Sequence, residues 1–229
     1  MCSSDLRRAG AWQDGRVKLI LVRHGRTIAN VMGALDTAFP GNPLDAVGRA
    51  QAESLPGRLP PGLLGTVGSL WVSPIERARQ TIAPTERATG LEARIRSGLR
   101  EVLAGDLEMR TDRESVLCYT DTTRAWMVGR LHARLPGSPE NGQDTFERFD
   151  AVVREAAGTG GGEPTSSALI VAHGTVLRLW TSLAAAPGAG VEPAWIANHP
   201  MTNTGVTVVE GDPETGWVLR SWADGAWSA

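Results

Sequence analysis

Two histidines stand where apolar runs stop. The first follows Val17-Lys18-Leu19-Ile20-Leu21-Val22 and lies in Arg23-His24-Gly25. The second follows Ala168-Leu169-Ile170-Val171-Ala172 and lies in His173-Gly174. A neutral imidazole keeps one ring nitrogen free to attack or to accept a proton while the other donates. Arg23 accompanies the first histidine, and Arg77 comes soon after a third apolar run, Ser69-Leu70-Trp71-Val72. Guanidinium groups present planar, paired donors that fit phosphate oxygens. Singly, each group has a plainer use: a strand-end histidine is often structural, and an arginine often lies on a solvated helix face. Two matching strand-His-Gly endings with arginines nearby favour a shared anion-handling centre.

Such convergence needs a particular scaffold. Apolar runs rich in Val, Ile and Leu suit strands buried on both faces of a parallel sheet. Open α/β sheets place their ligands beyond the carboxyl ends of those strands. Between the runs, the pattern predicts a short helix over 27–32, a loop over 33–43 and a helix over 46–59 capped by Asp45. A helix opened by Pro74 and running to about residue 88 follows the strand 69–72. A short strand over 91–95 and a loop over 98–108 come next. Thr111-x-x-Glu114 reads as a capping box for a helical region over 112–134 with a break near Gly129. Then come a helix over 144–157, the strand 168–172, a helix to 186, and a hairpin pairing 206–209 with 217–219. The expected fold class is α/β: a three-layer α/β/α sandwich with a mainly parallel sheet. Residues 17–229 read as a single domain, and residues 1–16 as an unpatterned leader.

Composition narrows the function classes. The formal charge of the 229-residue chain is -2 and Lys18 is its only lysine, so neither nucleic acid nor a membrane surface is an expected partner. Cys2 and Cys118 are too few for a disulfide framework and fit a reducing cytoplasm. No apolar run is long enough to span a bilayer, and charged residues interrupt any signal-peptide core near the start. Nothing in the pattern fixes an oligomeric state.

The order of these motifs resembles the histidine phosphatase superfamily, the phosphoglycerate-mutase-like proteins. The resemblance rests on Arg23-His24-Gly25 with Thr27 and Asn30, on Leu44-Asp45-Ala46-Val47-Gly48-Arg49-Ala50-Gln51-Ala52, and on Ser73 with Arg77-Ala78-Arg79-Gln80-Thr81. It continues in Leu99-Arg100-Glu101 with Gly105-Asp106-Leu107-Glu108, then Ala172-His173-Gly174 and Asn203-Thr204-Gly205. It implies a phosphoglycerate-mutase-like sandwich and a phosphohistidine mechanism. His24 would accept the phosphoryl group, and Glu101 would protonate the leaving alkoxide and then activate water. Arg23, Arg77 and His173 would surround the phosphoryl oxygens, with Asn30 and Thr204 completing the substrate site.

The resemblance implies a metal-independent phosphomonoester phosphatase with no cofactor, acting on a small phosphorylated substrate. His24, His173 and Glu101 are metal-ligand types, but Arg23 and Arg77 would crowd a divalent cation with positive charge. The alternatives are a cofactor-dependent phosphoglycerate mutase and a non-catalytic phosphate-binding module on the same fold. Such mutases carry tyrosine, lysine, paired arginines and a proline cluster after the acid, whereas here the only lysine, Lys18, lies in the first strand, Tyr119 is the only tyrosine, and residues 111–141 lack the proline cluster. Selectivity is expected in 102–141, with Arg110, Arg113, Arg124, Trp126 and Arg130 about the pocket. Three departures from the family pattern stand out. Arg26 replaces a usual acid and is expected to make the pocket mouth more cationic, Asp45 replaces Thr or Ser, and Met109 replaces glycine.

Overall fold

The computed structural model describes residues 17–158, 167–223 and 225–226. The expected leader over 1–16 lies outside them. The chain opens with β1 (Val17–Arg23), a short helix α1 (Ile28–Met32) and, after a long loop, helix α2 (Ala46–Arg58). Strand β2 (Val67–Val72), helix α3 (Glu76–Thr89) and strand β3 (Ala93–Ile95) follow. Helices α4 (Arg113–Met127) and α5 (Gly142–Gly158) precede β4 (Ser167–Ala172). Helix α6 (Gly174–Trp180) runs into a π-helical turn, Thr181–Ala185, before α7 (Pro193–Asn198). The antiparallel strands β5 (Val206–Asp212), β6 (Gly216–Trp222) and β7 (Gly225–Ala226) close the chain.

Among the described residues the sheet has seven strands in the order β3-β2-β4-β1-β5-β6-β7. Its β3-β2-β4-β1 half is parallel and its β1-β5-β6-β7 half is antiparallel, so the sheet is mixed within the α/β sandwich. Alternation along β1 builds both sides of the core. Leu19 and Leu21 pack into one cluster with Trp126, Phe149 and Trp180 from α4, α5 and α6. Ile20 and Val22 pack into the other with Leu55, Ala78 and Ile82 from α2 and α3. Trp126 is fully buried and its indole N–H donates to Ala133 O at 3.0 Å, so it belongs to the core and not to the pocket lining expected for it.

Several element ends differ from the sequence reading for local reasons. Helix α4 is capped by Asp112, whose carboxylate accepts Ser115 N–H at 3.0 Å, in place of the Thr111 capping box. It ends at Met127, where Gly129 N–H bonds back to Trp126 O, and residues 130–134 are not helical. Helix α3 starts at Glu76, two residues past Pro74, because Ile75 N–H turns to Ser73 Oγ and Glu76 N–H to Pro40 O. Asp45 caps α2 as expected, accepting Gly48 N–H at 2.7 Å.

Candidate active site

Register delivers three residues to one sheet edge. Arg23 pairs with Ala172 and Val72 with Val171, so His24, Ser73 and His173 emerge together at the carboxyl ends of adjacent parallel strands β1, β2 and β4. The imidazoles of His24 and His173 lie 5.1 Å apart, centroid to centroid, and both are buried. Gly25 is required by close packing: a Cβ there would sit 2.7 Å from Gly48 O at the start of α2.

Hydrogen bonds assign the tautomer of His24. Nδ1 lies 2.7 Å from Gly25 O, which can only accept, so Nδ1 carries the proton. Nε2 then holds a lone pair and accepts Arg77 Nε–H at 3.1 Å. Burial pushes the His24 pKa well below its usual value, and the Arg77 and Arg23 guanidiniums push it further. The ring is therefore neutral and nucleophilic at physiological pH. The Gly25 peptide that receives Nδ1–H is itself fixed, because Gly25 N–H donates to Thr81 Oγ1 at 2.9 Å.

His173 takes the same tautomer, but it is the protonated nitrogen that is left without a partner. Ser73 Oγ accepts Ile75 N–H, and its hydroxyl proton, which has no other acceptor among the described residues, goes to His173 Nε2 at 2.7 Å. Nδ1 of His173 then carries the proton, and it is buried without a protein partner among the described residues. Arg23 anchors one guanidinium nitrogen on Met201 O at 2.6 Å, while its Nε is likewise buried and unpartnered. Two orphaned donors beside a neutral imidazole are what a bound oxyanion would satisfy.

Glu101, in the loop after the 97–99 turn, is buried and turns its carboxylate to the start of α6. Its Oε1 accepts Val102 N–H and Val176 N–H, and its Oε2 accepts Thr175 N–H, at 2.9–3.0 Å. Arg148 fixes the loop that carries it, donating to the carbonyls of Gly98, Arg100 and Glu101 while paired with Glu140. Arg23 and Arg77 both feel the Glu101 charge, which favours their charged forms. Asn30 Oδ1 is occupied by Thr27 N–H and by Asn203 Nδ2, and Asn203 also donates to His24 O. Thr204 is set apart from the five convergent groups. It is fully buried, its hydroxyl donates to Asn203 O and accepts from Arg58, and its N–H returns to Arg23 O. It supports the Arg23-His24 turn from behind.

Two departures from the family pattern are one interaction. Arg26 Nε donates to Asp45 Oδ2 at 2.8 Å, so Arg26 is paired at the α2 cap and does not add free charge to the mouth as expected. Met109 holds a left-handed backbone, φ 59°, the conformation that glycine adopts without strain. The sequence reading gives no role to Thr81, Arg148 or Asp36, which act through contacts 41 to 56 residues away in the chain; only the family block containing Thr81 hints at any of them. Among the described residues, no group of three or more His, Cys, Asp or Glu is placed to hold a metal ion.

Residues 19–225 match the profile of the Histidine phosphatase superfamily (branch 1). The chain belongs to the histidine phosphatase superfamily. Among its relatives is the PE-PGRS family protein PE_PGRS11 of Mycobacterium tuberculosis, 31% identical over 88% of this chain; the chain spans only 35% of that protein's length. Glucosyl-3-phosphoglycerate phosphatase of M. tuberculosis is 28% identical, over 93% of this chain and 94% of its own. The Adenosylcobalamin/alpha-ribazole phosphatase of Escherichia coli is 32% identical over 71% of this chain and 76% of its own. The native structure of mycobacterial glucosyl-3-phosphoglycerate phosphatase superposes with a TM-score of 0.71, at 26% identity over 92% of this chain and all of that one. Among the described residues, no helix of this histidine phosphatase is long and apolar enough to cross a membrane.

Proposed function

We propose that this histidine phosphatase is a metal-independent phosphomonoesterase that works through phosphorylated His24. One observation carries the reading: a buried, neutral His24 with an Nε2 lone pair faces two orphaned donors, Arg23 Nε and His173 Nδ1–H. A phosphoryl group seated there would draw Arg77 Nε–H away from His24 and onto its own oxygens. His24 Nε2 attacks phosphorus, the P–N bond forms as the P–O bond to the leaving alcohol breaks, and Glu101 gives that oxygen a proton. Oε2 is the oxygen suited to carry that proton, since it accepts one backbone N–H where Oε1 accepts two. In the second step water attacks phosphorus, Glu101 takes its proton, and the P–N bond breaks to free His24. Arg23, Arg77 and His173 stabilise the charge on the equatorial oxygens in both steps.

The relatives named for glucosyl-3-phosphoglycerate and α-ribazole phosphates point to small phosphorylated metabolites as the substrate class. Asn30 has an Nδ2 with no protein partner among the described residues and would meet the substrate at the entrance. The cysteine content fits a reducing cytoplasm as the place of reaction. The test measures phosphate release from a phosphomonoester panel in excess chelator, alongside interconversion of 3-phosphoglycerate with and without 2,3-bisphosphoglycerate. Phosphate release that resists the chelator is expected. Fast interconversion with negligible phosphate release would make the protein a mutase, and no turnover of any ester would leave only a binding module.

A further inference from the structure

The loop after α1 sets a carboxylate against the phosphate-facing arginine. Asp36 Oδ2 lies 3.3 Å from Arg77 Nη1, and Asp36 O accepts Arg77 Nη2 at 2.9 Å. The two side chains are 7% and 2% exposed. Nε of the same guanidinium reaches His24 Nε2 at 3.1 Å. A guanidinium is rigid and planar, so fixing its outer edge fixes where its inner edge points.

Asp36 is itself held from two sides. Its Oδ2 accepts Asn42 N–H at 2.9 Å and Asn42 Nδ2 at 3.0 Å. Glu108 clamps the next residues, accepting from Thr37 N, Ala38 N and Thr37 Oγ1, and Thr37 Oγ1 in turn accepts Ala104 N–H. The loop then closes onto the arginine at Gly41, where a Cβ would meet Arg77 Nη1 at 2.5 Å. Asn42 thus holds the Asp36 carboxylate itself and Glu108 the backbone that follows it, and the target of that carboxylate is Arg77.

We infer that Asp36 is the positioning residue for Arg77, holding the guanidinium in the plane that serves the phosphoryl group and lets Nε release His24 when substrate enters. The inference rests on the reading of His24 as phosphoryl acceptor. Asp36 also offsets the cost of keeping Arg77 charged, since burial weakens that charge and Asp36 is the strongest opposing influence. With the outer edge pinned, Arg77 need only exchange one hydrogen bond, from His24 to a phosphoryl oxygen. Without the pin, the cation stays in the pocket but its donors lose their aim at the charge developing in the transition state.

Asp36→Asn tests this, because it keeps size and an acceptor and removes the charge. The readouts are the single-turnover rate of His24 phosphorylation by an activated aryl phosphate, and the inhibition constant of inorganic phosphate. Phosphorylation should slow by about 100-fold, the scale of a misplaced catalytic group. Phosphate inhibition should move by less than about threefold, because ground-state attraction to the cation persists. The pH dependence of the residual rate should keep its shape, since Asp36 exchanges no proton with substrate. Asn42→Ala removes one donor to Asp36 and leaves the charge, so it should slow phosphorylation in the same direction by a smaller factor, even if Asp36→Asn fails to fold. Wild-type phosphorylation rates in both variants would overturn the inference, as would equal losses of rate and phosphate affinity or the loss of one limb of the pH profile. Absence of label on His24 in the wild-type protein would instead overturn the proposed reaction.

Discussion

Mild acid should weaken this fold through two imidazoles before most carboxylates titrate. His24 and His173 are 3% and 0% exposed. For both, burial is the largest cause of a pKa held well below the usual value, with the neighbouring arginines adding to it. In the unfolded chain each titrates near its ordinary value of about 6.5. The sign follows from proton counts. Below about pH 6.5 the unfolded chain binds protons that the folded protein refuses, so stability present above that pH is lost as pH falls toward the folded-state values. Each histidine contributes a slope of up to about 1.4 kcal/mol per pH unit, and integration from 6.5 to 5.5 gives about 1 kcal/mol each, or about 2 kcal/mol together. Urea midpoints across this range, compared between wild type and a His24→Gln/His173→Gln variant, isolate the effect, because the exposed His132 and His199 are common to both. Wild type should lose about 2 kcal/mol more than the variant over that unit of pH. Parallel curves would refute the reasoning, since they would mean that neither ring is protected from protonation.

Other consequences are as direct. Thr81→Val keeps shape but removes the acceptor for Gly25 N–H. It should cost about 1–3 kcal/mol in denaturant unfolding, the penalty for a buried unpaired amide, and lower kcat by loosening the carbonyl that orients His24. Met109→Gly relieves a left-handed, exposed methionine. It should raise stability by about 0.5–1 kcal/mol, strain relief outweighing the added freedom of the unfolded chain, and a lower melting temperature would contradict that balance. Glu101→Gln should slow esters with poor leaving groups far more than an activated aryl phosphate, whose alcohol needs little protonation; equal losses would remove Glu101 from the acid's role.

The parts legible in the sequence were those written in local pattern. Leu19 to Val22 and Leu169 to Val171 announce strands buried on both faces, and the residues that follow them, His24 and His173, meet because adjacent parallel strands end together. Asp45 ahead of α2 was equally readable, since a cap and its helix are neighbours in sequence. Contacts between distant side chains carry no such period. Asp36 on Arg77, Arg148 on the Glu101 loop and Thr81 under Gly25 join segments that only the folded sheet brings together. Arg26 shows the reverse error, read singly as a free cation when its partner Asp45 was itself set down as a separate oddity. The core place of Trp126 is not legible in sequence, because an aromatic in a helix has the same pattern whether it lines a pocket or fills a core.

The central claim is that His24 Nε2 accepts the phosphoryl group. The direct measurement is a rapid alkaline quench of the protein turning over a phosphorus-labelled ester in excess chelator, followed by peptide mapping, since a P–N bond survives base and is lost in acid. Label is expected on the peptide containing His24, at the imidazole, and none in His24→Ala. Turnover with label on another residue, or with no phosphoenzyme formed at any time, would contradict it.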